Sequence, residues 1–293
     1  MPPDIIPLVF ALAAAIAFAV GDQFQGRGVL VLDSRSGTLV SILTSTACFW
    51  VLAPFLLHPA ELAGAGILIF ALIGVFRPAL SANLSVAGVR HLGPTLSSTL
   101  ASTSPLFGTA LGILWLGEDL TWPIALGTAG IFGAILLLSR RRGGSGPADW
   151  PLWALTLPIG AAAIRALAHV LSKLGMESVP DAYIAGLVSF TVSSAVLLSS
   201  QAVRRPRPSL AVLTGRGSWW FVGSGVTMAL AITALNQALL EGRIIVVVPV
   251  VSAAPVFTML LGMAFFRGER VSARLVAAVC IVVPSVIVIA LGR

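Results

Sequence analysis

The sequence predicts an all-α integral membrane protein in which ten transmembrane helices form two inverted five-helix repeats. Hydrophobic residues make up 57% of the chain and charged residues only 10%, with a mean hydropathy of +1.00. An ordinary soluble domain has about a quarter charged residues, so the composition indicates a membrane protein. A motif also recurs about 150 residues apart, near half the chain length. Such a repeat indicates that one unit occurs twice.

Ten apolar runs account for the predicted helices. Only helices and closed barrels can cross a bilayer, and these runs lack the period-two alternation of barrel strands. Seven runs are free of charge and reach the roughly 20 residues that a spanning helix needs; they cover residues 36–60, 91–117, 120–139, 182–203, 217–240, 244–266 and 275–292. Three weaker runs contain interior polar groups and cover residues 5–32, 65–89 and 151–174.

A basic, glycine-rich stretch divides the chain into two sets of five runs. It covers residues 140–150 and begins with three arginines and two glycines, which is typical of a flexible connector. The predicted domains are a first five-helix repeat at 1–139, this linker, and a second five-helix repeat at 151–293. Because five crossings are an odd number, the second repeat must enter the membrane upside down, as in many transporters.

The distribution of Lys and Arg predicts the orientation. Positive residues of short loops stay on the cytoplasmic side. The side that holds only Lys173, Arg243 and the terminal Arg293 is therefore expected to be periplasmic, as are both termini, in a bacterial-type inner membrane. The linker 140–150 is expected to be cytoplasmic, on the side that holds Arg27, Arg35, Arg90, Arg140, Arg141, Arg142, Arg204, Arg205, Arg207, Arg216, Arg267, Arg270 and Arg274.

The repeated motif is a proline, a glycine seven positions later and a Gly-Glu pair at the end of the run. The proline removes a helix hydrogen bond and should kink the run, and the first glycine lets another helix approach closely. The glutamate is expected to be a solvated or capping turn residue, so the motif is assigned to the fold. Its two copies are Pro105, Gly112, Gly117 and Glu118, and then Pro255, Gly262, Gly268 and Glu269.

This motif resembles that of the drug/metabolite transporter superfamily, in its ten-helix EamA branch. The match runs from Pro105 to Glu118 and continues with Gly127, Gly130 and Gly133; in the second half it runs from Pro255 to Glu269. The second half then departs from the family pattern, with Ala277, Ala278 and Pro284 where glycines are usual. The resemblance implies a secondary transporter that works by alternating access. A narrower similarity to YddG-like exporters implies amino acids, aromatic and hydrophobic ones included, as substrates.

Two arginines within apolar runs are the leading candidates for a binding site. Arg77 lies in the third run and Arg165 in the sixth. Ionisable residues inside a membrane are costly and usually face the bundle interior. A guanidinium suits a carboxylate, so the pair is expected to bind an anionic group of the substrate. The alternative is that each arginine is structural, bonded to carbonyls or extended to an interface.

Further polar groups inside the runs complete the predicted substrate site. Aligning Arg27 on Lys173 places Gln23 opposite His169. Hydroxyls are also concentrated in the fourth run, which is expected to form a water-lined face. The remaining predicted site residues are Asn83, Ser98, Ser102, Asn236 and Ser252. The alternatives are a first helix that stops at Gly21, leaving residues 22–25 in a loop, and a packing role for His169 and the hydroxyls.

The sequence lacks the groups that other mechanisms need. It has no phosphate-binding loop, no metal-ligand spacing and no catalytic triad pattern, so neither a cofactor, a metal nor an enzymatic activity is predicted. No glutamate lies within a run, and Asp22 is the one aspartate near a run interior, which disfavours export of cationic drugs. The expected partners are a small-molecule substrate and the lipid bilayer, without nucleic acid, and a monomer is one option. The alternatives are transport of another anionic or neutral metabolite, such as a nucleobase or sugar derivative, and a membrane scaffold or enzyme.

Overall fold

The computed structural model is helical throughout the residues that it describes, apart from short connections. These residues are 5–57, 64–77, 80–81, 84, 87–88, 91–92, 100, 103–139, 151–203, 215, 217–265 and 273–292. The helices, labelled in chain order, are α1 Ile6–Gly28, α2 Ser34–Leu56, α3 Ala65–Phe76, α4 Ser104–Leu116, α5 Trp122–Ser139, α6 Thr156–Ser178, α7 Ala182–Val203, α8 Ser218–Glu241, α9 Ile244–Val251, α10 Ala254–Phe265 and α11 Ala273–Leu291.

The described helices support a multi-pass membrane protein. Six segments are long and apolar enough to cross a bilayer: Ile6–Gly28, Arg35–Leu56, Leu152–Ser178, Ala182–Gln201, Ser218–Glu241 and Ile244–Gly262. Four shorter apolar helices are Ala65–Phe76, Ser104–Leu116, Trp122–Leu137 and Val276–Leu291. The helical membrane class is therefore confirmed, whereas the number of ten crossings stays a prediction.

The first helix continues past its polar residues. Helix α1 ends at Gly28, so Asp22, Gln23 and Gln25 all belong to it. The alternative in which this helix stops at Gly21 is therefore wrong. The last two turns of α1 thus carry Asp22, Gln23, Gln25 and Arg27, whereas the preceding turns are apolar.

The motif prolines stand at the start of a helix rather than within one. Pro105 is the second residue of α4, and Pro255 is the second residue of α10. Between α9 and α10 the chain leaves the helix at Ser252 and Ala253. A first-turn proline costs no hydrogen bond, because the N–H groups there have no intrahelical acceptor. In the second half the predicted kink is therefore a break that divides the run 244–266 into two helices.

Serines on the second helix of each half bond to the third helix of the other half. On α2, Ser41 and Ser45 donate to the carbonyls of Phe221 and Gly225 on α8, at 3.0 and 2.7 Å. Because each pair of residues is four positions apart, both bonds lie on one face of each helix.

The second half repeats this arrangement. On α7, Ser189 and Ser193 donate to the carbonyls of Phe70 and Gly74 on α3, at 3.1 and 2.8 Å. A serine pair of one half thus contacts a Phe-x-x-x-Gly segment of the other half, and this arrangement occurs once in each direction. We call these two sets of contacts the inter-half clasps.

Glycine permits the close approach at each clasp. A Cβ atom at Gly74 would lie 2.5 Å from the backbone oxygen of Ser189. A Cβ atom at Gly225 would lie 2.5 Å from the backbone oxygen of Ser41. Both distances are below any real contact of a Cβ atom, so a side chain at either glycine would force the two halves apart.

A pseudo-twofold axis passes between α2 and α7. The clasps make Ser41 and Ser45 equivalent to Ser189 and Ser193, so Thr46 is equivalent to Ser194. These two hydroxyls bond to each other at 2.6 Å. A residue meets its own equivalent only at a twofold axis, which places the symmetry centre of the repeats here.

The same packing sets the register of the first helix in each half. Gly28 of α1 stands against the ring of Phe221, as Gly175 of α6 stands against the equivalent ring of Phe70. This match aligns Asp22, rather than Gln23, with His169. The alignment of Arg27 on Lys173 is therefore one residue out of register.

The last helices of the halves pack on each other, and an aspartate caps the second helix. Gly127 and Gly130 of α5 face Ser285 and Ile289 of α11. At the start of α2, the carboxylate of Asp33 accepts the N–H of Ser36 at 2.9 Å. This hydrogen bond holds the pKa of Asp33 below its ordinary value.

Candidate functional site

A cavity lies where α3 of the first half meets α6, α7 and α8 of the second. It is a small cavity with a volume of about 60 Å³, enough for a few water molecules. Its polar lining consists of Arg77, His169, Ser172, Ser189, Ser193 and Asn236. Its apolar lining consists of Ile73, Ala168, Ala185, Phe190, Met228 and Ile232.

Arg77 reaches the cavity because α3 ends just before it. A proline disfavours the helical conformation of the preceding residue, and Arg77, before Pro78, is extended with φ −118° and ψ 134°. Proline also lacks the N–H that would bond the carbonyl of Gly74. The hydroxyl of Ser193 lies 2.8 Å from that carbonyl and 2.6 Å from the Arg77 carbonyl. The predicted run 65–89 is thus interrupted at Arg77.

His169 supplies a buried ring nitrogen to the cavity. The residue is 8% exposed, and its Nδ1 has no hydrogen-bond partner among the described residues. An unpaired buried polar atom costs about 1–3 kcal/mol, so water or a ligand is expected to satisfy it. Neutral imidazole can donate or accept there, which leaves both kinds of partner open to it.

Asn236 is held in a fixed orientation at the same cavity. Its side-chain oxygen accepts the hydroxyl of Ser172 at 3.0 Å, and its nitrogen donates to the carbonyl of Ala182 at 3.2 Å. Three helices of the second half, α6, α7 and α8, thereby meet at one amide. This fixed group forms a polar wall beside His169.

Arg165 lies one helical turn before His169 on α6 and is partly buried. It is not among the residues that line the cavity. Its charge nevertheless acts on both Arg77 and His169. The two predicted arginines therefore belong to one electrostatic neighbourhood, with Arg77 the nearer to the empty space.

Two predicted site residues lie elsewhere. The side-chain nitrogen of Gln23 donates to the carbonyl of Thr258 at 2.6 Å and so joins α1 to α10. The hydroxyl of Ser252 bonds back to the Val248 carbonyl at 2.8 Å, at the break between α9 and α10. Neither lines the cavity. Several predicted residues lie outside the described part of the chain: Asn83, Ser98, Ser102, Gly268 and Glu269.

The sequence interpretation missed the contribution of α7. Ser189, Phe190 and Ser193 line the cavity, although the sequence marks their run only as a charge-free span. The available signal was a serine pair four residues apart that recurs in the second helix of both halves. Ser172 was also missed, because nothing in its local sequence distinguishes it from a packing residue.

The motif glutamate of the first half is a buried contact between the halves. The Glu118 side chain is 8% exposed, and its carboxylate lies 3.2 Å from Nζ of Lys173. The same carboxylate accepts the backbone N–H groups of Ile244 and Ile245 at 2.8 and 3.0 Å. It thus caps the start of α9, where the first N–H groups of a helix have no intrahelical acceptor.

Gly117 directs Glu118 toward that position. It ends α4 in the left-handed conformation, with φ 63° and ψ 27°, which glycine adopts without strain. The N–H of Glu118 then bonds back to the Gly112 carbonyl at 3.1 Å, which holds the chain after Gly117 against the end of α4. Gly112 also leaves room for α9, since a Cβ atom there would lie 2.9 Å from the Ile245 side chain.

Comparisons with known proteins identify relatives at the level of family and fold. The EamA-like transporter family matches residues 5–140 and 152–291. No curated protein matches the chain. A crystal structure of a protein with 16% sequence identity is similar over 96% of this chain and 95% of that one, with a TM-score of 0.81. At that identity the likeness shows the fold alone.

Proposed function

Because the chain belongs to the EamA-like transporter family, we propose that it is a secondary transporter that exports small metabolites, with amino acids as the leading substrate class. The family match covers both halves and confirms the resemblance drawn from the sequence. The narrower likeness to YddG-like exporters, the bacterial inner membrane and the direction of transport all belong to this proposal.

The observation that carries the substrate assignment is that Arg77 and the unpartnered Nδ1 of His169 line the same cavity. The described lining of the cavity contains no acidic side chain that could neutralise Arg77. A carboxylate would satisfy both groups, since a guanidinium binds carboxylates through two parallel hydrogen bonds. Phe190 and Ile232 would then contact the apolar part of the substrate.

The inverted architecture supports alternating access as the mechanism. The cavity lies between helices of both halves, and transporters with inverted repeats bind substrate where the halves meet. The pseudo-twofold axis relates the α2–α8 clasp to the α7–α3 clasp. Exchanging the conformations of the two halves would therefore expose the cavity to the opposite side of the membrane.

We expect Arg77→Gln to weaken transport of carboxylate substrates. Losing a charged hydrogen bond to a buried carboxylate costs about 1.5–3 kcal/mol, or roughly one to two orders of magnitude in apparent affinity. The measurement is counterflow into proteoliposomes with a panel of amino acids, nucleobases and sugar derivatives. Arg165→Gln is expected to have a similar effect through its charge.

Arg35→Gln is the matched control, because the Arg35 guanidinium, at the start of α2, donates to the side-chain oxygen of Gln201 and does not line the cavity. Counterflow at the wild-type level in both Arg77→Gln and Arg165→Gln would make these arginines structural. Flux of a neutral nucleobase or sugar derivative, with no flux of amino acids, would support the alternative substrate classes. No flux of any solute would favour a scaffold or an enzyme.

We expect the linker 140–150 to lie in the cytoplasm and both termini in the periplasm. The reason is the excess of arginine on the linker side. A cysteine at Ser145, in a chain without Cys48 and Cys280, should resist an impermeant thiol reagent in intact cells and react after lysis. Ready labelling of intact cells would show that the linker is outside the cytoplasm and that the predicted orientation is wrong.

A further inference from the structure

We propose that Asp22 binds the proton that couples transport, at a site between α1 and α10 that is separate from the substrate cavity. This inference rests on the proposed function and extends it by naming the coupling ion. Four observations support it: the open space beside Asp22, its contact with the other half, its lack of a charged partner among the described residues, and its symmetry relation to His169.

Open space lies beside Asp22. Ala11, Ala15 and Ala19 share its face of α1 and are fully buried. Asp22 and Gly26 continue this face and are exposed, and a Cβ atom at Gly26 would meet no atom of the described residues within 4 Å. The packed interface thus opens at the level of Asp22. A proton can reach the carboxylate from this space.

The carboxylate contacts the other half of the protein. The Thr258 hydroxyl on α10 donates to Oδ2 of Asp22 at 3.3 Å, and the Thr258 carbonyl accepts the Gln23 amide at 2.6 Å. Helix α10 follows the break at Ser252, so the contact joins α1 to a separate helical segment. Any movement of the halves relative to each other would change the surroundings of Asp22.

The described helices that pack on α1 offer Asp22 no opposite charge. Helix α8 presents Ser224 and Thr227 to this part of α1, and its one charged residue, Glu241, is at its far end. Helices α9 and α10 contain no charged residue. On α1 itself the nearest charge is Arg27, more than one turn away. A carboxylate inside a membrane span without a charged partner is costly, and binding a proton neutralises it.

The surroundings suit a proton better than a metal cation. Hard cations take about six or more oxygen ligands, whereas Asp22 has the Thr258 hydroxyl and the neighbouring amide. The described residues contain no group of three or more His, Cys, Asp or Glu that could hold a metal ion. One carboxylate is sufficient for a proton, which forms an O–H bond on one side of the membrane and leaves on the other.

Asp22 is also the pseudo-symmetry equivalent of His169. The packing of Gly28 on Phe221, and of Gly175 on Phe70, brings the two titratable groups to matching positions on α1 and α6. The inverted repeat therefore places a group that binds a proton in one half and a substrate-facing group in the other. The two sites would open in turn as the halves move.

The experiment measures proton movement in proteoliposomes loaded with a pH-sensitive dye. The probe is the amino acid that gives the strongest wild-type counterflow. Wild-type protein is expected to move protons when this amino acid is added and to accumulate it when a pH gradient is imposed. Asp22→Asn is expected to reduce both signals to the level of protein-free liposomes, while it retains counterflow, because exchange needs no net proton transfer.

Asp33→Asn is the matched control, since it makes the same change at a helix cap where asparagine is also a good capping residue. It should leave all three signals unchanged. Wild-type counterflow without proton movement would overturn this inference and leave the proposed function standing, as would accumulation driven by sodium alone. Proton movement that persists in Asp22→Asn would also overturn it. Absence of any wild-type counterflow would overturn the proposed function, and this inference with it.

A second variant decides the matter if Asp22→Asn is not recovered as a monodisperse protein. Asp22→Glu keeps a titratable carboxyl, displaced by one methylene from Thr258. It is expected to retain proton movement with a shifted pH dependence. A pH profile identical to that of the wild type would overturn the assignment.

Discussion

Replacing Glu118 with alanine is expected to destabilise the protein by about 3–5 kcal/mol, because it removes one partner of a buried ion pair. Lys173 would keep only the Gly242 carbonyl as a described partner. The N–H groups of Ile244 and Ile245 would lose their acceptor. The measurement is the melting temperature in detergent, together with the fraction of protein that elutes as a monodisperse peak.

Two further variants separate the contribution of the helix cap to stability from that of the ion pair. Asp119→Ala removes the neighbouring, exposed carboxylate and should change the melting temperature little. Glu118→Gln keeps an acceptor for the α9 N–H groups but loses the ion pair, so its loss of stability should be intermediate. If Glu118→Ala and Asp119→Ala have the same melting temperature, the contact between α4, α6 and α9 contributes little to the stability of the fold.

Alanine at either clasp glycine is expected to be the second most damaging change. The added Cβ atom would lie 2.5 Å from a backbone oxygen at both Gly74 and Gly225. Overpacking of this kind costs about 1–3 kcal/mol. The separation of the helices would also stretch the serine hydrogen bonds of the clasp. Both variants should therefore melt at a lower temperature in detergent than the wild type.

Gly133→Ala is the matched control for the clasp glycines. It lies within α5, and a Cβ atom there would be more than 4 Å from every described atom outside its own stretch of helix. Since alanine is favoured over glycine in a helix by about 1 kcal/mol, this variant should be as stable as the wild type or more so. Equal melting temperatures for Gly74→Ala, Gly225→Ala and Gly133→Ala would mean that the halves are not closely packed at the clasps.

Local sequence was sufficient to predict the fold class and the positions of most helices along the chain. Apolar length and low charge predicted the membrane helices, and the repeated motif predicted two halves of one family. Gly117 at the end of α4, and the prolines at the starts of α4 and α10, act within one helical turn of their position. Such features are local, so a sequence pattern is enough to reveal them. The run containing Arg77 could also have been divided on local grounds, since Pro78 follows it.

The candidate site could be predicted only in part. Arg77, His169 and Asn236 were singled out as polar groups in apolar runs, and the structure places all three at one cavity. Gln23 and Ser252 had the same sequence signal and lie elsewhere. The difference between these groups is the direction in which each helix face points, and helical period alone does not fix which neighbour a face meets.

The contacts between the halves were decided by the tertiary structure alone. Glu118 reads as a turn residue in the sequence, yet it is buried against Lys173 and caps a helix that begins more than 120 residues later. The serine and glycine partners of the clasps are likewise far apart in the chain. Sequence thus determined the helices, their breaks and their twofold repetition, because hydropathy and backbone preferences act over short distances. The pairing of helices depends on steric fit and hydrogen bonding between distant segments, so only the folded chain reveals it.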